Sequence, residues 1–321
     1  MSQKDTRAAS PVAPKIDSPA IADSESPSSA SPSTAFEALA ALISPSHRYK
    51  FASAARLGNT MAARIQECVS KERGCYIYVD GVGERMIDAI DNTFCNRGLT
   101  GALRLTYEAT LDALIIKCMP GEEHEKTSRS LLVKLSKKIA AIPGHNGYSI
   151  IAVGSTRFSV PGVRSKEGDE GIKPRNTRAK KNQWPSLMVE VGYSENLAHL
   201  RQDAHWWLDH SHNQTRMVII IHINSHPMSM RLERWERVVD ENQRSTRSRV
   251  PTTPGYVQYF DIDHAGNVTH HPDHPDLLIP YKCVFDTGHP VDMASDITIP
   301  KNELSEWALY VYEGLDDSDS E

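Results

Sequence analysis

Leu187–Glu195, LMVEVGYSE, is the stretch on which the reading of the whole chain turns. Apolar residues occupy almost every position, as in a strand buried on both faces of a sheet. Glu190 stands in the middle of that run. An uncompensated carboxylate in such a place costs several kcal/mol, on the order of what a domain has to spare. Two explanations are open. Either Glu190 is held by a structural partner, such as Arg201 or backbone amides, or it serves a metal ion and its chemistry.

The pattern on either side is that of an α/β protein. Downstream, ENLAHLRQDAHWWLDHS reads as a helix with Leu197, Leu200, Ala204, Trp207 and Leu208 on one stripe, and TRMVIIIHI as an apolar central strand. GYVQYFDID and AGNVTHH form an expected hairpin, DLLIPYKCVF one more strand, and IPKNELSEWALYVYEG a last helix capped by Asn302. MRLERWERVVD fits an irregular strand or a short helix equally.

Upstream, AFEALAALI and ASAARLGNTMAARIQECVSKE have helical spacing, and ALRLTYEATLDALIIKCMP reads as two strands joined near Glu108–Asp112. The segment GEEHEKTSRSLLVKLSKKIAAIPG predicts an amphipathic helix with Leu131, Leu132, Leu135 and Ile139 on one face, and YSIIAVGS a strand. Between that strand and Leu187 lies the polar excursion RSKEGDEGIKPRNTRAKKNQW, read as a loop. The expected fold is α/β, a central mixed sheet with helices on both faces.

Composition sets outer limits. The 321 residues carry 36 Lys+Arg against 41 Asp+Glu, a net charge of −5, which argues against a wholesale basic nucleic-acid binder and leaves room for a local basic patch. Residues 1–35 are rich in Ser, Pro and Ala and are expected to be a disordered tail, residues 36–314 a single domain with an N-terminal helical extension, and residues 315–321 an acidic tail. Five scattered cysteines without a CxxC predict free thiols in a reducing compartment. Neither a membrane-length apolar run nor a signal-peptide core is present, so the expectation is an intracellular protein, cytoplasmic or nuclear.

Three pieces carry candidate chemistry: Asp169 in RSKEGDEGIKP, Glu190 about twenty residues later, and His124-Glu125 at the start of a helix. Two carboxylates from neighbouring sheet positions suit a hard divalent cation, Mg²⁺ or Mn²⁺, which polarises a phosphodiester and acidifies a bound water. SKEGDEGIKP with PSLMVEVGYSENLAHLRQDAHWWL resembles fungal proteins of the PD-(D/E)XK nuclease superfamily, close to the Uma2-type restriction endonucleases. The resemblance spans roughly Leu103 to Val311 and implies a restriction-endonuclease-like fold, metal-dependent hydrolysis of DNA, and Asp169 and Glu190 as the metal-holding acids. It further implies Glu125 as an auxiliary acid, with Arg201 or His205 orienting water or stabilising the transition state.

Two departures stand out. Gly168 replaces the proline that precedes the first acid, and Gly192 occupies the lysine position of (D/E)-x-K. Lys166 and Lys173 flank Asp169 and reach the site only if that loop folds back. The competing expectation is therefore an inactive nuclease-fold module for binding or scaffolding. Other features have plainer readings. Asp169 alone suits a turn, and His124 and Glu125 suit a helix N-terminus. The run Lys173–Lys181 is either a solvated loop or a phosphate-facing patch. Trp206 is expected half-exposed and Trp207 in the core. His264, His270, His271 and His274 lack paired zinc spacing and predict a surface loop.

Overall fold

Strand alternation organises the N-terminal half. In LRLTYE, Leu103, Leu105 and Tyr107 enter one apolar core while Arg104 and Thr106 take the other face, and the same alternation in ALIIKC places Leu114, Ile116 and Cys118 with the first set. The computed structural model describes residues 32–71, 73–119, 123–194, 196–240, 250–286 and 296–316. The tail expected at the N-terminus, up to residue 31, and residues 317–321 of the acidic tail lie outside the described residues.

The described residues open with α1 (Pro32–Ala41), β1 (Arg48–Lys50), α2 (Ala54–Ser70), β2 (Cys75–Asp80) and α3 (Ile87–Asn96). The hairpin β3 (Leu103–Glu108) and β4 (Ala113–Cys118) follows, turning through Asp112 at φ 46° as expected for that segment. Then come α4 (Glu123–Ala140) and four short strands, β5 (Ile150–Ala152), β6 (Arg157–Val160), β7 (Arg164–Glu167) and β8 (Glu170–Pro174). After β9 (Leu187–Tyr193), α5 (Leu197–His210) and β10 (Met217–Ser225) run β11 (Met228–Val239), β12 (Thr252–Asp263) and β13 (Val268–His270). The chain closes with β14 (Leu277–Ile279), α6 (Tyr281–Val284), β15 (Ile297–Ile299) and α7 (Lys301–Asp316).

The protein is mixed α/β, with its strands in two large sheets where one was expected. The first has the order β1-β2-β4-β3-β7-β6 and the second β13-β12-β11-β10-β9-β8-β5; β14 and β15 pair separately. Among the described residues the pairs are antiparallel except β1–β2 and β9–β10. The polar excursion supplies the link. It is not a plain loop, because β7 joins the first sheet and β8 the second, with only Gly168 and Asp169 between them.

Separate apolar clusters cover the faces of the two sheets. Helices α2 and α3 cover one face of the first sheet through Leu57, Met61, Ile87, Ile90 and Phe94. The expected stripe of α4 (Leu131, Leu132, Leu135, Ile139) is buried on the second sheet against Leu187, Val189 and Val191. On the opposite face of β9, Met188 joins a tryptophan-rich cluster with Leu200, Trp206 and Trp207 of α5.

Local chemistry explains the remaining differences. MRLERWERVVD belongs to a long strand bulged between Arg234 and Trp235. DLLIPYKCVF is not one strand: Pro280, which has no N–H for the ladder, ends β14 and leads into α6. Asn302 lies within the first turn of α7, and the amide of Lys301 is instead bonded at 3.0 Å by the Asp276 carboxylate. Trp206 is buried, packed on Trp184 and His210, rather than half-exposed. No helix among the described residues is long and apolar enough to cross a membrane.

Candidate functional site: two buried carboxylates and a lysine between the sheets

The polar face of the first sheet is built by register. Tyr76, Lys117 and Arg104 lie in one row across β2, β4 and β3, and Thr106 pairs with Lys166 beside it. Opposite this cationic row stand three acids, Asp169 at the crossover between sheets, Glu190 on β9 and Asp203 on α5. All six charged side chains are almost wholly withdrawn from solvent.

Asp169 is the best-held member. Its Oδ2 accepts from Lys117 Nζ at 2.8 Å and from the Val191 amide at 2.9 Å, and lies 3.0 Å from His124 Nε2. Burial pushes the carboxyl up, but the His124 imidazole, the Lys117 ammonium and the Arg104 guanidinium outweigh it and hold Asp169 well below the usual carboxylate range. Its other oxygen, Oδ1, is buried and accepts no hydrogen bond; Arg104 Nε lies 3.6 Å away and donates instead to the Gly168 carbonyl.

Glu190 answers differently to the same surroundings. Trp207 Nε1 donates to Oε1 at 2.5 Å, while Oε2 lies 3.6 Å from Lys117 Nζ, outside hydrogen-bond range. Burial first, and then the Asp169 charge, push its carboxyl up to about 8 despite Lys166 and Lys117. The strand can therefore bury Glu190 because, near neutral pH, much of it holds a proton.

Lys117 ties the arrangement together. Besides Asp169 it donates to the Val191 carbonyl at 2.7 Å, an oxygen that His124 Nε2 also approaches at 2.9 Å. Lys166 pairs with Asp203 at 2.6 Å and lies 3.3 Å from Thr106 Oγ1, and Tyr76 donates to the second Asp203 oxygen at 3.0 Å. Burial pulls the Lys166 ammonium down, and Asp203 and Glu190 more than restore it, so its value is raised.

Asp169 and Glu190 are thus brought together around Lys117. Three other expected site residues face elsewhere. Glu125 pairs with Arg129 one turn on, half-exposed; the helix turns His124 inward in its place. Arg201 bridges Glu233 at 2.7 Å and not Glu190, and His205 packs edge-on against Trp235. Lys173 donates to carbonyls of Lys180, Lys181 and Gln183, and Arg178 pairs with Asp286, so part of the basic run is a structural brace.

Lys117, Arg104 and Asp203 are the residues of this cluster that sequence reasoning missed. LIIKC reads as an ordinary strand with one polar position, and only the pairing with β3 shows that its lysine faces acids. Of the pair His124-Glu125 singled out in the sequence, it is His124 that turns toward Asp169.

Several oxygens gather around Lys117. Asp169 Oδ1 accepts no hydrogen bond, Glu190 Oε2 lies 3.6 Å from Lys117 Nζ, and the Val191 carbonyl accepts from that same ammonium. Among the described residues, the only group of three His, Cys, Asp or Glu side chains with ligand atoms within 4.8 Å of one another is elsewhere, formed by Cys68, Cys75 and Cys118. No protein-family model, curated protein or solved structure matches this chain.

Proposed function

We propose that this chain is a divalent-metal-dependent nuclease of restriction-endonuclease-like type that hydrolyses DNA phosphodiester bonds. One observation carries the reading: Lys117 Nζ lies 2.8 Å from Asp169 Oδ2 and 3.6 Å from Glu190 Oε2. Two acids and an amine therefore converge although Gly192 holds the position where the resemblance expects lysine. Asp169, Glu190 and the Val191 carbonyl would hold Mg²⁺ or Mn²⁺. When bound, such an ion supplies Lewis-acid polarisation of a phosphoryl oxygen and a more acidic water. Lys117 orients the attacking water and offsets charge on the phosphate, and Asp169, held ionised at any ordinary pH, keeps that ammonium in place. His124 fixes the Val191 carbonyl and the same Asp169 oxygen from the α4 side.

A second reading has its own observation. Three buried cations already face Asp169 and Asp203, Glu190 is largely protonated near neutral pH, and the centre is closed to solvent. That arrangement favours a catalytically silent nuclease fold acting as a binding module. Cleavage of single- and double-stranded DNA with Mg²⁺ or Mn²⁺ separates the two. The nuclease reading expects cleavage by wild type that is lost in Asp169→Asn, Glu190→Gln and Lys117→Met while circular dichroism is retained. Equal background from wild type and all three variants would leave the silent module.

A further inference from the structure

Three of the five cysteines, scattered over fifty residues of sequence, meet in space. Cys68 comes from the last turn of α2, and Cys75 and Cys118 are directly paired across β2 and β4. Their sulfurs all lie within 4.8 Å of one another, with Cys68 and Cys75 Sγ 3.1 Å apart. Buried thiols are commonly inert core residues. These three differ in position: Cys68 and Cys75 form part of the wall of a cavity of about 290 Å³, lined also by His47, Lys71, Arg73 and His199.

We infer that Cys68, Cys75 and Cys118 form a binding site for a thiophilic d¹⁰ cation, with zinc(II) as its occupant and the fourth coordination position facing the cavity. Zinc–sulfur bonds of about 2.3 Å in a tetrahedral site set the sulfurs ~3.8 Å apart, a spacing this trio reaches by small side-chain adjustment. Three thiolates around zinc leave one net negative charge, which Lys71 and Arg73 on the same cavity wall offset against Glu67. Zinc uptake displaces protons from the thiols.

The site is separate from the oxygen-rich centre, though Lys117 and Cys118 are consecutive. Alternation along β4 sends the lysine to the acids and the cysteine to the α2 side. Success or failure of the nuclease reading therefore leaves this inference untouched.

The test uses the full chain, reduced and handled without air. Zinc content after loading and gel filtration should be one equivalent per chain. Replacement by cobalt(II) should give thiolate-to-cobalt charge transfer in the near ultraviolet and an intense tetrahedral band in the visible, signals that oxygen ligands do not produce. Cys75→Ser, the most accessible of the three, should weaken zinc binding by about ten- to a hundred-fold or more, while Cys95→Ser and Cys283→Ser leave it unchanged. Substoichiometric zinc without cobalt–thiolate bands in the folded wild type overturns the inference, whatever the variants do. So does a Cys68–Cys75 disulfide found by mass in the aerobic protein, if the reduced form takes up no metal.

Discussion

Glu190 and Asp169 are buried side by side and titrate in opposite directions, and this is where pH acts on the molecule. Folded, Glu190 titrates near 8; unfolded, a glutamate titrates near about 4.3. Between those values the folded chain keeps a proton that the unfolded chain has released. The stabilisation that proton represents is complete below about 4.3 and is lost as pH rises toward 8, with a slope of at most ~1.4 kcal/mol per pH unit. Asp169 runs the other way: its depressed carboxyl stabilises the fold above the unfolded value of about 3.9, and the effect fades as pH falls. Glu190→Gln keeps the acceptor for Trp207 and removes the proton. Its urea-unfolding free energy should gain on the wild type steadily from pH 5 to pH 8. A difference between the two that stays constant over that range would mean the carboxyl is ionised in the native state.

Elements decide which of these residues meet. The crossover from β7 to β8 passes so close to β9 and α5 that a methyl group on Gly168 would lie 2.1 Å from Met188 Cε and 2.9 Å from Trp207 Cζ2. The Met188 methyl is the end of a flexible side chain and can move aside, so the Trp207 ring is the neighbour that resists a side chain at this glycine. Gly168→Ala should cost about 1–3 kcal/mol in thermal or urea unfolding and disturb the Trp207–Glu190 bond, read as a change in tryptophan fluorescence. Wild-type stability and fluorescence in that variant would refute the packing. The Lys166–Asp203 pair makes a second test. Removing one partner, as in Lys166→Met, strands a buried charge and should cost ~3–5 kcal/mol, whereas Lys166→Met with Asp203→Leu should recover a large part of it. Additive losses would show that the pair is not coupled. These elements also mark what the sequence makes legible. The apolar strand with an acid inside it, the amphipathic stripe of α4 and the β3–β4 hairpin follow from periodicity alone. The division into two sheets, and with it the partner of Asp169, depends on β7 and β8, whose RSKE and EGIKP carry the composition of a loop and the hydrogen bonding of strands. Lys117 was hidden for the same reason, since its meaning lies in long-range register.

At the scale of the molecule, two sheets are joined by a charged seam, and the seam is either a completed structural lock or a site waiting for an ion. Linkage distinguishes them without an assay of cleavage. A cation that binds only the native chain stabilises it by about 2.7 kcal/mol at a hundred-fold excess over its Kd. Glu190, protonated over much of the neutral range, must ionise to serve as a ligand, so binding releases a proton below about pH 8 and tightens as pH rises. The melting temperature of the wild type should therefore climb with Mn²⁺, by more at pH 8.5 than at pH 6.5. Asp169→Asn, which takes away the carboxylate nearest Lys117, should abolish the oxygen-site component of that rise. Cys75→Ser should leave it intact, since manganese prefers oxygen to thiolate. Were Mn²⁺ to leave the melting temperature unmoved at both pH values, the three cations already in the seam would be the only ones it holds, and the silent module would be the better description of the protein.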